Sequence, residues 1–170
     1  MINQESYTEF LRCIQPQTMQ PMSLSFNRTG DIPQGENQIQ LSWKFLYAND
    51  DPLFPQTDLC VFRPKFEFVM IHNGTPVYNQ TSIIVTKFTI TDRDKFDDFW
   101  MTEEVRKFFR DKQIPSLLWP IVRQQVLDGF ARLGLPPISL PWMINESKNI
   151  VLLGLRLGFQ SVLVFAKSMG

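Results

Sequence analysis

Residues 114–144 read IPSLLWPIVRQQVLDGFARLGLPPISLPWMI. Leu118, Val122, Val126, Phe130 and Leu133 recur at three- and four-residue intervals, the period of a helix with one apolar face. Ser116 is expected to start that helix, with Pro120 in its first turn, where a missing N–H does little harm. Gly134 follows the stripe directly and predicts a C-cap, because glycine adopts the left-handed conformation that ends helices. Pro136 and Pro137 then forbid continuation, and Leu135–Ile144 carries no charge. The reading is an amphipathic helix followed by an apolar, proline-flanked segment that crosses the surface.

Upstream, the period changes from about four to two. Ile39, Leu41, Trp43, Phe45 and Tyr47 alternate with Gln38, Gln40, Ser42 and Lys44, as in a strand with one buried face. Met22, Leu24 and Phe26 alternate with Ser23 and Ser25, predicting an earlier half-buried strand. A loop is expected over 27–36, and another from Asn49 to about Thr57. Phe66, Phe68 and Met70 place a third strand at about 61–71, with Pro64 marking an edge, a bulge or a late start. His72-Asn73-Gly74-Thr75 is a hairpin turn, since Asn-Gly accepts positive φ at both central positions. The fourth strand, 76–91, carries Ile84, Phe88 and Ile90 on one parity. Tyr7, Phe10 and Leu11 suggest a short N-terminal helix. Asp92 and Thr102 are candidate caps for helices holding Phe96, Phe99 and Trp100, then Val105, Phe108 and Phe109; Pro115 is expected to close that region. Strands followed by helices argue an α+β fold: a four-stranded antiparallel sheet with helices packed on one face.

Composition sets bounds on function. A chain of 170 residues holds one sizeable core. Seventeen basic and seventeen acidic residues cancel, so no global field steers it to nucleic acid or anionic lipid, and no nucleic-acid partner is expected. Fifteen phenylalanines against three tyrosines supply large rings without a polar handle, for a core or for a partner. Cys13 and Cys60 are far apart and read as reduced intracellular thiols. The patterns beginning at Asn27, Asn79 and Asn145 match glycosylation acceptors, but MINQESYTEF has neither a basic start nor an apolar run, so a cytoplasmic location is expected.

No catalytic constellation is legible. The lone His72 beside a turn reads as solvated, with no second histidine to make a metal pair. Asp92, Asp94, Asp97 and Asp98 read as helix-start and solvation chemistry rather than a cation site. There is no phosphate-cradling glycine loop and no GxSxG. The expectation is a non-enzyme without metal or cofactor.

The phrase Leu118-Trp119-Pro120-Ile121-Val122-Arg123-Gln124, the run Arg132-Leu133-Gly134-Leu135-Pro136, and Ile138-Ser139-Leu140-Pro141 resemble the long helix and following segment of the SecB family of protein-export chaperones. The family pattern is Leu-Phe-Pro-Tyr-Ala-Arg-Glu, then Arg-Gly-x-Phe-Pro, then Leu-x-Leu. Pro120, Arg123 and Pro136 stand in family register. The strand ending Phe88-Thr89-Ile90 is similar to the family's last strand, with its aromatic–x–aliphatic finish. The resemblance spans about residues 19–144 and implies one SecB-like domain over 1–146, followed by an apolar segment, 147–170. It also implies an ATP-independent holdase that binds unfolded or precursor polypeptides in apolar grooves and assembles as a dimer or tetramer. Groove candidates are Trp119, Phe130, Leu133, Leu135, Ile138, Leu140 and Trp142, with Phe88 and Ile90 opposite. Pro120, Arg123, Gly134 and Pro136 are motif residues with a structural role. The glutamate and glycine pair that the family places before its strand aromatic are absent, and with them the feature implicated in docking to the translocase motor.

Other readings stay open. Some relatives of the family serve one partner, such as an antitoxin, and a sheet-and-helix shell can also enclose a small apolar ligand. The segment Ile150–Ala166, IVLLGLRLGFQSVLVFA, is near the lower length limit for a membrane span, but Arg156 at its centre would cost a few kcal/mol in lipid. A packed or partner-facing segment is expected rather than a membrane anchor, and such a tail can compete for the groove.

Overall fold

A computed structural model describes residues 3–31, 38–143 and 150–153. Helix α1, Gln4–Arg12, is capped by Asn3, whose side-chain oxygen accepts from the N–H groups of Glu5 and Ser6. Strand β1, Ile14–Arg28, is followed by β2, Gln38–Leu46, and by the short pair β3, Leu53–Gln56, and β4, Leu59–Phe62. The hairpin of β5, Lys65–His72, and β6, Thr75–Ile90, comes next. Helices α2, Arg93–Trp100, and α3, Glu103–Phe108, lead through a π-helical segment, Phe109–Gln113, into α4, Ile114–Arg132. Strand β7, Ile150–Leu153, comes last.

The class is α+β with an antiparallel sheet, as expected, but the described strands number seven rather than four. Their order is β3-β4-β6-β5-β2-β7, and β1 pairs with β6 off that path. The strand expected over 61–71 is divided at Arg63-Pro64 into β4 and β5, because Pro64 has no N–H for a ladder. Part of the loop expected up to Thr57 is ordered as β3 against β4. β7 occupies the start of the apolar 150–166 segment; residues 154–166, like 144–149 and 32–37, lie outside the described residues. β1 starts at Ile14, well before Met22, and includes Pro16 and Pro21. Proline is tolerated there because β1 pairs only with β6 among the described residues, leaving one edge without a ladder.

Local chemistry explains the element ends. Asn73 (φ 48°) and Gly74 (φ 80°) make the expected tight hairpin turn. Asp92 caps α2 by accepting from the Lys95 N–H. Thr102 stands at the N-cap of α3 with extended backbone but makes no side-chain capping bond. Gly134 (φ 63°) ends α4 in a Schellman motif: Leu135 N–H bonds the Phe130 carbonyl at 2.9 Å and Gly134 N–H bonds that of Ala131 at 3.2 Å. The start of α4 differs from expectation. It runs on from the π-helical segment, so Pro115 does not close the preceding helix and Pro120 lies inside α4, beyond its first turn. The widened π turn sits just before Pro115, which cannot donate the usual bond four residues back.

Contacts group the chain into two compact units. The first comprises residues 3–23, 45–65 and 83–118. Its core is aromatic: Phe10 packs on Phe96, Trp100 and Phe109, with centroids 5.3–5.9 Å apart, and Phe109 reaches Phe62 and Phe88. The buried Asp51 carboxylate accepts from the Arg63 backbone N–H and guanidinium, tying the loop before β3 to the residue after β4. The second unit comprises residues 24–31, 38–44, 66–82, 119–143 and 150–153. Trp43 stacks on Phe68, and Phe130 packs on Tyr78 with centroids 4.5 Å apart. α4 approaches β6 closely at Gly129, where a Cβ would stand 2.2 Å from the Tyr78 hydroxyl oxygen. Eight phenylalanines (10, 62, 66, 68, 88, 96, 109 and 130) are fully buried, so most of the phenylalanine excess belongs to the two cores. His72 is buried too, contrary to the solvated reading, because the inward alternation of β5 continues through it.

Candidate functional site

Helix α4 carries two neighbouring rows. Leu118, Val122, Val126 and Phe130 form the buried stripe that the sequence predicts. Trp119 and Arg123, one helical turn apart, form the second and hold the segment 135–143. The Trp119 ring is buried against Trp43 (5.3 Å) and Phe66 (6.4 Å), and its indole N–H donates to the Pro141 carbonyl at 2.8 Å. Arg123 donates a long bond (3.5 Å) to the Leu140 carbonyl, and its guanidinium lies 4.6 Å from the centroid of the Trp142 ring, in cation–π geometry.

Segment 135–143 is therefore an extended strap rather than a strand. Pro136, Pro137 and Pro141 remove three of its N–H donors, and its Leu140 and Pro141 carbonyls accept from Arg123 and Trp119 of the helix. Leu135, Ile138 and Leu140 turn inward and are buried. Trp142 and Met143 turn outward, 83% and 72% exposed. Leu133 is half-buried at the helix end, where its carbonyl accepts from Arg28. Two of the motif residues act at this join: Arg123 grips the strap and Gly134 turns the chain, while Pro120 lies exposed within α4 and Pro136 follows the turn.

The nine groove candidates divide by burial. Trp142 is largely exposed and Leu133 partly so. Trp119, Phe130, Leu135, Ile138 and Leu140 are buried in the second unit. Phe88 and Ile90 are buried in the first, where Phe88 packs edge-on against Phe62. Sequence reasoning missed Met143, because it lies beyond any periodic pattern. It also misjudged β1: Met22 and Leu24, read as a half-buried face, are 62% and 42% exposed. Alternation reveals that a strand has an apolar face and leaves open what covers it. Met101 and Phe54 are further exposed apolar residues of the first unit.

Among the described residues, two cations meet the strap: Arg123 against the Trp142 ring and Arg28 at the Leu133 carbonyl before it. No cluster of metal-ligating side chains occurs among the described residues, and none of their helices is long and apolar enough to cross a membrane. At the surface, Arg63 holds the Asp50 carboxyl below its usual range, and the Lys95 backbone N–H does the same for Asp92; the groups shifted by burial lie in the cores. Burial pushes the Cys60 thiol up to about 12, raises Cys13 less far, and lifts the hydroxyls of Tyr7, Tyr47 and Tyr78 well above the ordinary phenol range. Such thiols are inert rather than nucleophilic.

No family profile and no curated protein matches this chain. Among solved structures, the Rv1957 SecB-like chaperone of Mycobacterium tuberculosis, determined in complex with a ChAD peptide from the Rv1956 HigA1 antitoxin, is similar in fold. The TM-score is 0.64 at 18% identity, over 84% of this chain and 99% of that one. The fold is SecB-like.

Proposed function

We propose that the chain is an ATP-independent holdase that captures extended apolar segments of unfolded or pre-export polypeptides. One observation carries this reading: Trp142 and Met143 stand almost fully exposed at the end of an ordered strap that Trp119 and Arg123 fasten to α4. An aromatic ring with one face steadied by a guanidinium and the rest in solvent is a ready anchor for an apolar side chain, and methionine adapts to many shapes. Burial at roughly 25 cal/mol per Å² of apolar area needs no sequence match and no nucleotide. The SecB-like fold, shared with a chaperone solved with a peptide bound, supports the same reading.

Trp142 and Leu133 are assigned direct contact with the client. Leu135, Ile138, Leu140 and Trp119 hold the strap in place, Phe130 supports the core of the second unit, and Phe88 and Ile90 that of the first. Self-association into dimers or tetramers belongs to the same proposal. β1 offers a long strand edge with Met22 and Leu24 exposed, a surface that pairing would cover. A cytoplasmic site of action fits capture of precursors before export.

A second reading has its own support. The SecB-like neighbour holds a peptide from an antitoxin, so a narrow chaperone serving one such partner uses the same surface. One experiment separates the two. The purified protein, without nucleotide, is tested for suppression of aggregation of an unrelated unfolded protein while light scattering gives its mass. Suppression by a dimer- or tetramer-sized particle supports the general holdase; failure with several unrelated clients favours the single-partner form.

A further inference from the structure

The β2 edge of the sheet is completed by the chain's own tail. β7 lies antiparallel on β2, with Gln38 opposite Leu153, Ile39 opposite Leu152, Gln40 opposite Val151 and Leu41 opposite Ile150. β7 is four residues long, all apolar, against nine in β2, and it stands last in the strand order. The strand beneath it is firmly built: Ile39 and Leu41 are fully buried, and Lys44 pairs with Glu67 at 3.0 Å. A short apolar strand laid on a sheet edge has the form an extended polypeptide takes when it joins a sheet. Backbone bonds supply affinity whatever the sequence, and alternate side chains supply preference.

We propose that the β2 edge over Gln38–Leu41 is a strand-addition site for extended apolar polypeptide, and that Ile150–Leu153 is its resident competitor. The proposal rests on the client-binding reading above and adds a site and its regulation. A tail joined to the same chain competes at the high effective concentration of a tethered ligand. The client then meets only the fraction of molecules whose edge is open, and its apparent affinity falls by that fraction. The tail sets a threshold: weakly apolar segments are excluded, and long apolar ones enter.

The test keeps the full chain. Gln40 and Val151 are Cα partners, so Gln40→Cys with Val151→Cys allows a reversible cross-strand disulfide that pins the tail. The probe is a permanently unfolded, carboxymethylated protein carrying a fluorescent label. The pinned form has no open edge, so binding there is lost, and reduction restores it. With a tail seated about nine times in ten, Leu152→Pro, which deprives the tail strand of a donor, raises the apparent affinity about ten-fold. Faster amide exchange along Gln38–Leu41 in that variant verifies that the edge has opened. Binding that is equal in the pinned and reduced forms, or unchanged in a Leu152→Pro protein whose edge amides have opened, overturns this proposal and leaves the client reading intact. Absence of binding in every form overturns the client reading and this proposal with it.

Discussion

The indole N–H of Trp119 donates to the carbonyl of Pro141 at 2.8 Å, across 22 positions of sequence. This bond fixes where the strap ends and therefore where Trp142 emerges. Trp119→Phe keeps most of the ring's packing on Trp43 and Phe66 but leaves the carbonyl without its donor. A loss of about 1 kcal/mol in urea unfolding is expected, with faster amide exchange along 138–143. An unchanged midpoint would mean that the strap is held by its buried leucines and isoleucine alone.

Trp142 is 83% exposed, so Trp142→Ala is expected to leave stability within about 0.5 kcal/mol while weakening capture of an unfolded client several-fold. Arg123→Gln removes the cation beneath the ring and is expected to give part of that loss. Aggregation-suppression curves at equal protein concentration read both effects.

Gly129 leaves no room for a Cβ, which would sit 2.2 Å from the Tyr78 hydroxyl oxygen. Gly129→Ala is expected to destabilise by about 1–3 kcal/mol, because helix or tyrosine must shift in a packed core. Adding Tyr78→Phe removes the clashing atom and is expected to recover part of the loss, although it also removes the hydroxyl's 2.6 Å bond to Gln80. A thermal-melt double-mutant cycle measures the coupling.

Alkaline stability follows from the buried thiol. Below pH 9, Cys60 is neutral in folded and unfolded chains alike, and its contribution is complete. Between the ordinary value of 9.0 and the folded value of about 12, the unfolded chain releases a proton that the folded one keeps. Stability therefore falls as pH rises through that window, by at most about 1.4 kcal/mol per pH unit from this group. The buried tyrosines add to the fall above pH 10. Phenolate absorbance is expected to rise together with loss of secondary structure rather than ahead of it, and Cys60→Ala to flatten the early part of the curve.

Much of this fold was legible wherever a periodic pattern met a one-sided environment. The buried stripe on α4, the Asn73-Gly74 turn, the Gly134 cap, the alternation of β2 and the Asp92 cap follow from local chemistry. What failed or stayed open needed knowledge of neighbours. The sequence leaves Pro64 an edge, a bulge or a late start, and only the neighbouring ladder selects the late start, with β5 beginning at Lys65. Whether Met22 and Leu24 face a core or solvent depends on what lies over β1. Whether Pro115 ends a helix depends on the π turn that absorbs it. The site was half legible. Trp119 and Arg123 were marked by motif, but their service to the strap's carbonyls appears only when residues 17 to 22 positions apart are brought together. Met143 carried no signal at all.

The three prolines of the strap have a consequence for what happens after capture. A sticky surface that is also a good β template risks becoming a seed, since each polypeptide it catches offers a fresh edge to the next. Under the proposed function, Trp142 and Met143 are presented at the end of a backbone that lacks donors at positions 136, 137 and 141, so a client held there gains side-chain contacts without a continuous ladder to propagate. On the strap, adhesion is thereby separated from templating, and strand pairing is left to the proposed β2 edge, where the tail competes for it.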